Sequence, residues 1–170
     1  NLFSGAISIF YFSGEVQVVS NDFLNSLVVL TGSTDGNEPK SIIKSNTFSN
    51  TISEVDLDNV IFLTYVTLGN TFGEIGALSA GNVFDNTIIG VNIFSSENTV
   101  LEENQFSAYD GEIESSEYPL AVMLNVHNAD DVDGLFSQVY NNDFLGFNIA
   151  LKNLGVSRTL FSSNYFENNN

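Results

Sequence analysis

The chain has 170 residues, of which 43% are hydrophobic and fifteen are Phe, enough apolar material for the core of one domain. Four Lys and Arg stand against twenty-one Asp and Glu, a net charge of −17. This balance argues against nucleic acid as a partner, because binding to the phosphate backbone depends on clustered cations. The absence of Cys excludes disulfides and thiolate metal sites, and no apolar run reaches the roughly 18 residues of a membrane span.

Short apolar runs rich in β-branched and aromatic residues follow one another along the chain. In order they include ISIFYF, VQVV, SLVVL, VIFLTYVTL and TIIGVNIF, separated by Gly, Asn, Asp and Ser. Such runs indicate strands rather than helices. Because they are continuous instead of alternating, and no Asn-Gly hairpin signal separates them, we expect buried parallel strands.

An asparagine two residues before a phenylalanine recurs along the whole chain. Eight pairs of this kind are Asn1–Phe3, Asn21–Phe23, Asn46–Phe48, Asn70–Phe72, Asn82–Phe84, Asn104–Phe106, Asn142–Phe144 and Asn164–Phe166. Several copies also carry an apolar residue three positions before the Asn: Val18, Ile43, Leu101, Val139 and Phe161. Because most spacings are about 20 to 25 residues, the repeat predicts a β-solenoid of about six or seven coils.

The two residue types suggest two structural roles. Asn tolerates the left-handed conformation that a sharp corner requires, so we expect each repeated Asn to form a corner and to adopt that conformation. The residue two positions later then points inward and fills a layer with Phe. Asn side chains stacked in successive coils can hydrogen-bond to one another.

The repeat resembles that of the right-handed parallel β-helix proteins of the pectate-lyase-like superfold. A second similarity is to the repeats of polymorphic outer-membrane-type adhesins, which combine Phe-x-x-Asn with Gly-Gly-Ala-Ile. FENN from Phe166 is similar to the first motif, and SGAIS and IGALS, at Gly5 and Gly76, are similar to the second. The resemblance implies an all-β, right-handed parallel β-helix in an extracellular or cell-surface protein.

The domain prediction is a single β-helix segment over residues 1–170, taken from a longer chain. The long gap between Asn104 and Asn142 predicts an acidic insertion at 107–141. It contains the acids Asp110, Glu112, Glu114, Glu117, Asp130, Asp131 and Asp133.

Two kinds of site are conceivable in this insertion. On a strand, Glu112 and Glu114 share a face with Cα atoms roughly 6 to 7 Å apart, which is compatible with the carboxyl pair of an inverting glycosidase. Asp110, Asp130, Asp131 and Asp133 could supply oxygen ligands to calcium. A merely solvated acidic surface is the alternative to both.

The sequence contains few residues that could support other classes of catalysis. His127 is the sole histidine, and no Gly-x-Ser-x-Gly motif is present, which disfavours a serine hydrolase. The resemblance implies that a lyase acting on uronates would use basic residues, and only Lys40, Lys44, Lys152 and Arg158 are available.

Three functions remain open. The first is a non-catalytic stalk, adhesin or filament building block that associates with neighbouring coils or other copies and requires no cofactor. The second is a fragment of a polysaccharide-active enzyme or phage tailspike, with Glu112 and Glu114 as catalytic acids. The third is a calcium-dependent module that binds polysaccharide or cell-surface glycans.

Overall fold

The computed structural model describes residues 1–5, 7–12, 16–26, 28–32, 41–51, 64–70, 77–94, 99–125, 136–154 and 158–169, in which the only regular secondary structure is β-strand. In chain order the strands are β1 (Leu2–Ser4), β2 (Ile7–Phe12), β3 (Val16–Val19), β4 (Asp22–Leu24), β5 (Val28–Gly32), β6 (Ser41–Lys44), β7 (Thr47–Ser49), β8 (Thr64–Asn70), β9 (Ala77–Ala80), β10 (Val83–Thr87), β11 (Ile89–Phe94), β12 (Thr99–Glu102), β13 (Gln105–Ala108), β14 (Leu120–Asn125), β15 (Phe136–Tyr140), β16 (Asp143–Leu145), β17 (Ile149–Leu154), β18 (Arg158–Ser162) and β19 (Tyr165–Glu167).

The strands form three sheets, and neighbouring strands within a sheet are parallel. Sheet A has the order β1-β4-β7-β10-β13-β16-β19, sheet B β17-β14-β11-β8-β5-β2, and sheet C β18-β15-β12-β9-β6-β3. The chain therefore visits A, B and C in the same cycle throughout, and each strand pairs with the strand three places along. The predicted all-β class and the parallel pairing are confirmed.

The connection from sheet C to sheet A always contains two residues. These corner pairs are 20–21, 45–46, 81–82, 103–104, 141–142 and 163–164. The connections from A to B vary in length, from Ile88 alone, through residues 109–119, to residues 50–63. Insertions therefore enter at the other corners, whereas the C-to-A corner keeps one geometry.

The first residue of each corner pair has the left-handed conformation. Ser20, Ser45, Gly81, Glu103, Asn141 and Ser163 have φ between 54° and 60°. The prediction that the repeated Asn itself is left-handed is therefore wrong by one position. The turn is made by the preceding residue, which leaves the Asn backbone and side chain free to bond along the stack.

The phenylalanines of sheet A form a continuous column inside the molecule. Ring centroids are 4.6–5.3 Å apart and interplanar angles are 4–18° from Phe3 through Phe23, Phe48, Phe84, Phe106 and Phe144 to Phe166. The five central rings are at most 2% exposed. The ring spacing follows the spacing of the strands, and the predicted inward Phe layer is confirmed.

Packing around this column leaves little free space. A Cβ at Gly90 on β11 would lie 2.9 Å from two ring carbons of Phe106 and 2.8 Å from the Ala121 carbonyl oxygen. Glycine is therefore required for the close approach of β11 to the aromatic column.

One of the eight predicted pairs does not belong to the repeat. Asn70 ends β8 in sheet B, where its register partner is Gly32, so it does not occupy a C-to-A corner. Phe72 lies outside the described residues. The spacing in the sequence already indicates that Asn70 is not a repeat position, because the twelve residues from Asn70 to Asn82 are too few for three strands and their corners.

Within the described ranges, no helix is both long and apolar enough to cross a membrane.

Candidate functional site

Residues 109–119, called the strap below, connect β13 to β14 and carry the acids predicted as a site. The apolar strap residues Tyr109, Ile113 and Tyr118 pack against a small cluster that is separate from the main core. That cluster is formed by Ile88, Ile89 and Leu120, with Ile149 beside it. The strap thus covers an apolar patch at the A-to-B corner.

Hydrogen bonds and one ion pair fasten the strap along its length. The Tyr109 N–H donates to the Thr87 carbonyl at 2.8 Å, and the Asp110 N–H donates to Asn86 Oδ1 at 3.1 Å.

The C-terminal part of the strap is bound by side chains of β17 and of the residue just before β17. Asn148 Nδ2 donates to the carbonyls of Ser115, at 2.8 Å, and Tyr118. Lys152 Nζ lies 3.2 Å from Glu117 Oε2. Both ends of the strap are therefore fixed to neighbouring repeats.

Glu112 and Glu114 are exposed and lie in irregular chain. They do not lie on a strand: Ile113 between them packs against the small apolar cluster, and both glutamate side chains are exposed.

The predicted calcium ligands lie only partly in the described residues. Asp110 is exposed on the strap, whereas Asp130, Asp131 and Asp133 lie outside those residues, as does His127. Among the residues that the structure describes, no group of three acidic or histidine side chains could hold a metal ion. The range 107–141 itself includes β14 and β15, which continue sheets B and C.

The described basic side chains lie far from one another. Lys152 is on sheet B, whereas Lys44 and Arg158 are on sheet C, on β6 and β18, with three strands between them. Lys40 is outside the described residues. The structure does not gather Lys44, Lys152 and Arg158 into one anion-binding site.

The most extensive polar array is the asparagine ladder, defined as Asn1, Asn21, Asn46, Asn82, Asn104, Asn142 and Asn164. Each Nδ2 donates to the Oδ1 of the next ladder Asn at 2.9–3.3 Å. From Asn21 onwards, the backbone N–H donates to the same Oδ1 at 2.9–3.1 Å. One amide oxygen thus accepts two hydrogen bonds from the preceding repeat.

From Asn46 onwards, the other Nδ2 hydrogen is donated to the backbone of the preceding repeat. Its acceptor is the carbonyl three residues before the preceding ladder Asn, as in Asn104 to Ser79 at 2.9 Å and Asn142 to Leu101 at 3.0 Å. Asn82, Asn104 and Asn142 are completely buried. Their buried amides are satisfied, so they avoid the cost of unpaired polar groups.

Ser79 interrupts the apolar column that precedes the ladder. It occupies the place of Ile43 and Leu101 in the neighbouring strands and is 1% exposed. Its hydroxyl donates to Asn104 Oδ1 at 3.2 Å and accepts from Asn82 Nδ2 at 3.1 Å. Sequence reasoning missed this residue, although it is the polar exception at the position three before a ladder Asn.

A tyrosine–carboxylate pair on sheet C was also missed. Tyr140 donates its hydroxyl hydrogen to Glu102 on the adjacent strand β12. This hydrogen bond to Glu102 raises the pKa of Tyr140, and desolvation and the charges of Glu102 and Glu103 act in the same direction. The register of β12 and β15, which the sequence does not reveal, brings the two side chains together.

Comparisons of the chain with family models, curated proteins and solved structures give no match in any of the three. The geometry of the described residues is therefore the basis for assigning a function.

Proposed function

We propose that the chain is a non-catalytic, structural or adhesive β-solenoid segment of a secreted or cell-surface protein, used as a stalk, adhesin or filament building block. In this proposal the three parallel sheets are the faces of a right-handed parallel β-helix of six or seven coils. The observation that supports it best is that the asparagine ladder and the phenylalanine column both run unbroken through all seven strands of sheet A.

The ladder and the column provide regular stiffness along the stack. Each successive repeat adds the same set of amide hydrogen bonds and one stacked ring, so the interface between repeats is renewed identically. Stacked aromatic pairs contribute about 0.5–1.5 kcal/mol beyond their buried area, and each hydrogen bond contributes about 1 kcal/mol. Such additive stabilisation between nearest neighbours is typical of solenoid proteins.

The acids of the strap are placed on the outside of this support. Ile113, Tyr109 and Tyr118 provide packing, whereas Glu112 and Glu114 are solvated. We therefore assign the strap to covering the A-to-B corner rather than to chemistry.

A screen against neutral and anionic polysaccharides tests the proposal. We expect the wild-type protein to release no reducing sugar ends from these polysaccharides. We expect the same result for the Glu112→Gln/Glu114→Gln double variant. Cleavage by the wild type that disappears in the double variant would replace the structural role with that of an inverting glycosidase.

A calcium titration of the melting temperature distinguishes the third function. In a structural segment, calcium and magnesium at equal ionic strength raise the melting temperature equally, through screening. A calcium-specific rise that Asp110→Asn reduces, accompanied by glycan binding, would instead indicate a calcium-dependent glycan-binding module.

A further inference from the structure

The outer face of sheet A carries exposed apolar side chains in the middle of the stack. Val83 on β10 is 37% exposed and Leu145 on β16 is 36% exposed. Each is next in the chain to a buried phenylalanine of the column, so its side chain points outward. Both strands are paired on each side within sheet A, so this exposure does not depend on the end strands.

Acidic side chains accompany the apolar ones on every second strand. β4, β10 and β16 each place one Asp and one apolar residue on the outer face, on either side of their phenylalanine. These pairs are Asp22 with Leu24, Val83 with Asp85, and Asp143 with Leu145. The strands between them, β7 and β13, place neutral polar residues there, which are Thr47, Ser49, Gln105 and Ser107. The acids therefore recur at two strand spacings, roughly 9–10 Å along the stack.

The aspartates have no cationic counterpart within the sheet. No described strand of sheet A contains Lys or Arg. The neighbour of Asp85 on β13 is Ser107, whose hydroxyl donates to Asp85 Oδ1 at 2.8 Å. This hydrogen bond orients the carboxylate without neutralising its charge. The face therefore complements a partner that is cationic and partly apolar.

The shape of the face limits the kind of partner. Strands β4, β7 and β16 have three residues each, so the two outward positions of a strand lie about 7 Å apart. From β4 to β16 the strip is about 20 Å long. A globular protein partner typically buries about 800 Å² on each side, which is much more than this strip supplies. A single linear chain laid along the stack fits the strip.

The repeat of the acids selects the conformation of that linear chain. In an extended β-strand, side chains on one face recur at roughly 6.6–6.8 Å, which does not match acids 9–10 Å apart. A polyproline II chain has three residues per turn and rises about 3.1 Å per residue, so every third side chain faces the same side at about 9.3 Å. We propose that the outer face of sheet A binds a Pro-rich segment of a partner protein that has Lys or Arg at every third residue.

In this complex each aspartate pairs with one cation of the segment, and Leu24, Val83 and Leu145 contact the prolines between the cations. The aspartates alternate between the two outward positions of their strands, an offset that the flexible four-carbon stem of Lys can span. Because a polyproline II backbone has no internal hydrogen bonds, its carbonyls are available to the Gln105 amide on the same face. The inference goes beyond the proposed structural role, since it assigns a partner to one face of the solenoid.

An NMR titration of the isotope-labelled chain with synthetic peptides tests the inference. Lys-Pro-Pro-Lys-Pro-Pro-Lys has a cation at every third residue, whereas Lys-Lys-Lys-Pro-Pro-Pro-Pro has the same composition and charge without that interval. At an ionic strength of about 0.1 M, charges more than about 10 Å apart are largely screened. We expect the spaced peptide to shift the amide signals of β4, β7, β10, β13 and β16, and to bind about threefold or more tighter than the unspaced peptide.

Two variants test the role of the aspartates. Asp22→Asn/Asp143→Asn should weaken binding of the spaced peptide about fivefold or more, because each exposed ion pair contributes up to about fivefold. Its matched control is Glu112→Gln/Glu114→Gln, which removes the same charge from the strap and should change the affinity less than about twofold.

The exchange Asp85→Ser/Ser107→Asp keeps the composition and charge but moves the middle acid by one strand spacing. It should weaken binding of the spaced peptide by about two- to fivefold. Circular dichroism establishes that each variant is folded.

Several results would overturn the inference. These are an absence of shifts on sheet A, equal affinity for the two peptides, equal effects of the two double Asn and Gln variants, or an exchange variant that binds like the wild type. A glucosamine oligosaccharide that bound through the same aspartates more tightly than the spaced peptide would make the partner an amino-sugar polymer instead. The structural role is tested separately by the polysaccharide cleavage screen, so it would survive a failure of peptide binding.

Discussion

At the residue scale, the ladder asparagines are stabilising because each side-chain amide forms hydrogen bonds with both neighbouring repeats. Asn104 receives hydrogen bonds from Asn82 and Ser79 and donates to Asn142 and to the Ser79 carbonyl, all without contact with water. A shorter side chain would leave several of these buried groups unpaired, and each such group costs about 1–3 kcal/mol.

We therefore expect Asn104→Ala to lower the free energy of unfolding by about 3 kcal/mol or more, measured by urea denaturation. Asn1→Ala is the control, because Asn1 is exposed and its side chain donates one ladder bond, at 3.2 Å. It should cost less than about 1 kcal/mol. Equal losses of unfolding free energy in the two variants would show that burial does not increase the contribution of a ladder hydrogen bond.

The Tyr140–Glu102 pair predicts an alkaline loss of stability. The pKa of Tyr140 is raised in the folded chain, so the folded state holds this proton more strongly than the unfolded state, whose Tyr pKa is about 10. The contribution is complete below about pH 10 and is lost as pH rises through the folded pKa. The free energy of unfolding should therefore fall more steeply above about pH 10 in the wild type than in Tyr140→Phe.

Tyr165 titrates in the same direction, since its hydroxyl donates to Glu167, and it is unchanged in both proteins. Its contribution cancels in the comparison of wild type with Tyr140→Phe. Parallel curves for the two proteins would contradict the role assigned to the Tyr140 hydrogen bond.

At the element scale, the constant C-to-A corner and the variable A-to-B corner respond differently to insertion. One extra Gly between Glu103 and Asn104 moves Asn104 out of register and turns Phe106 to the opposite face of β13, because side chains alternate along a strand. We expect this variant to unfold or to lose most of its cooperative transition in thermal denaturation.

The same Gly inserted between Gly111 and Glu112 is the matched control. Those residues lie in the irregular strap, where lengthening a connection costs only tenths of a kcal/mol in closure entropy. The control should melt within a few degrees of the wild type. A larger loss from the strap insertion than from the corner insertion would mean that the strap, rather than the ladder, determines the register.

Strands, parallel pairing and the inward phenylalanines were accessible from the sequence, because each leaves a local or periodic trace. The position of the left-handed residue was missed by one place, since this position is not kept as one residue type: it is Ser20, Gly81, Glu103 and Asn141 in different repeats. The alternation of Glu112, Ile113 and Glu114 did not distinguish a strand from a loop, because a loop that buries one apolar residue between two exposed acids has the same pattern. Ser79 and the Tyr140–Glu102 pair depend on register, which a single sequence does not specify.

At the scale of the whole molecule, the net charge of −17 opposes compaction, and the described residues contain the single ion pair of Lys152 with Glu117. We expect the melting temperature to rise as NaCl is increased from low to physiological concentration, because added salt screens the mutual repulsion of the acids. The Glu112→Gln/Glu114→Gln variant should melt higher at low salt and respond less to NaCl. A melting temperature that falls with NaCl would contradict this account.

The ladder also bears on how such a chain can change its length over evolution. Consecutive ladder asparagines are 22 residues apart between Asn82 and Asn104 but 38 apart between Asn104 and Asn142, yet the bonds they make have the same geometry. Closing the longer loop costs only about 0.5 kcal/mol more, since closure entropy grows with the logarithm of length. A lineage could therefore lengthen or replace the A-to-B and B-to-C segments almost without penalty. Such segments would supply new surfaces, while the seven ladder asparagines maintain the register of successive repeats.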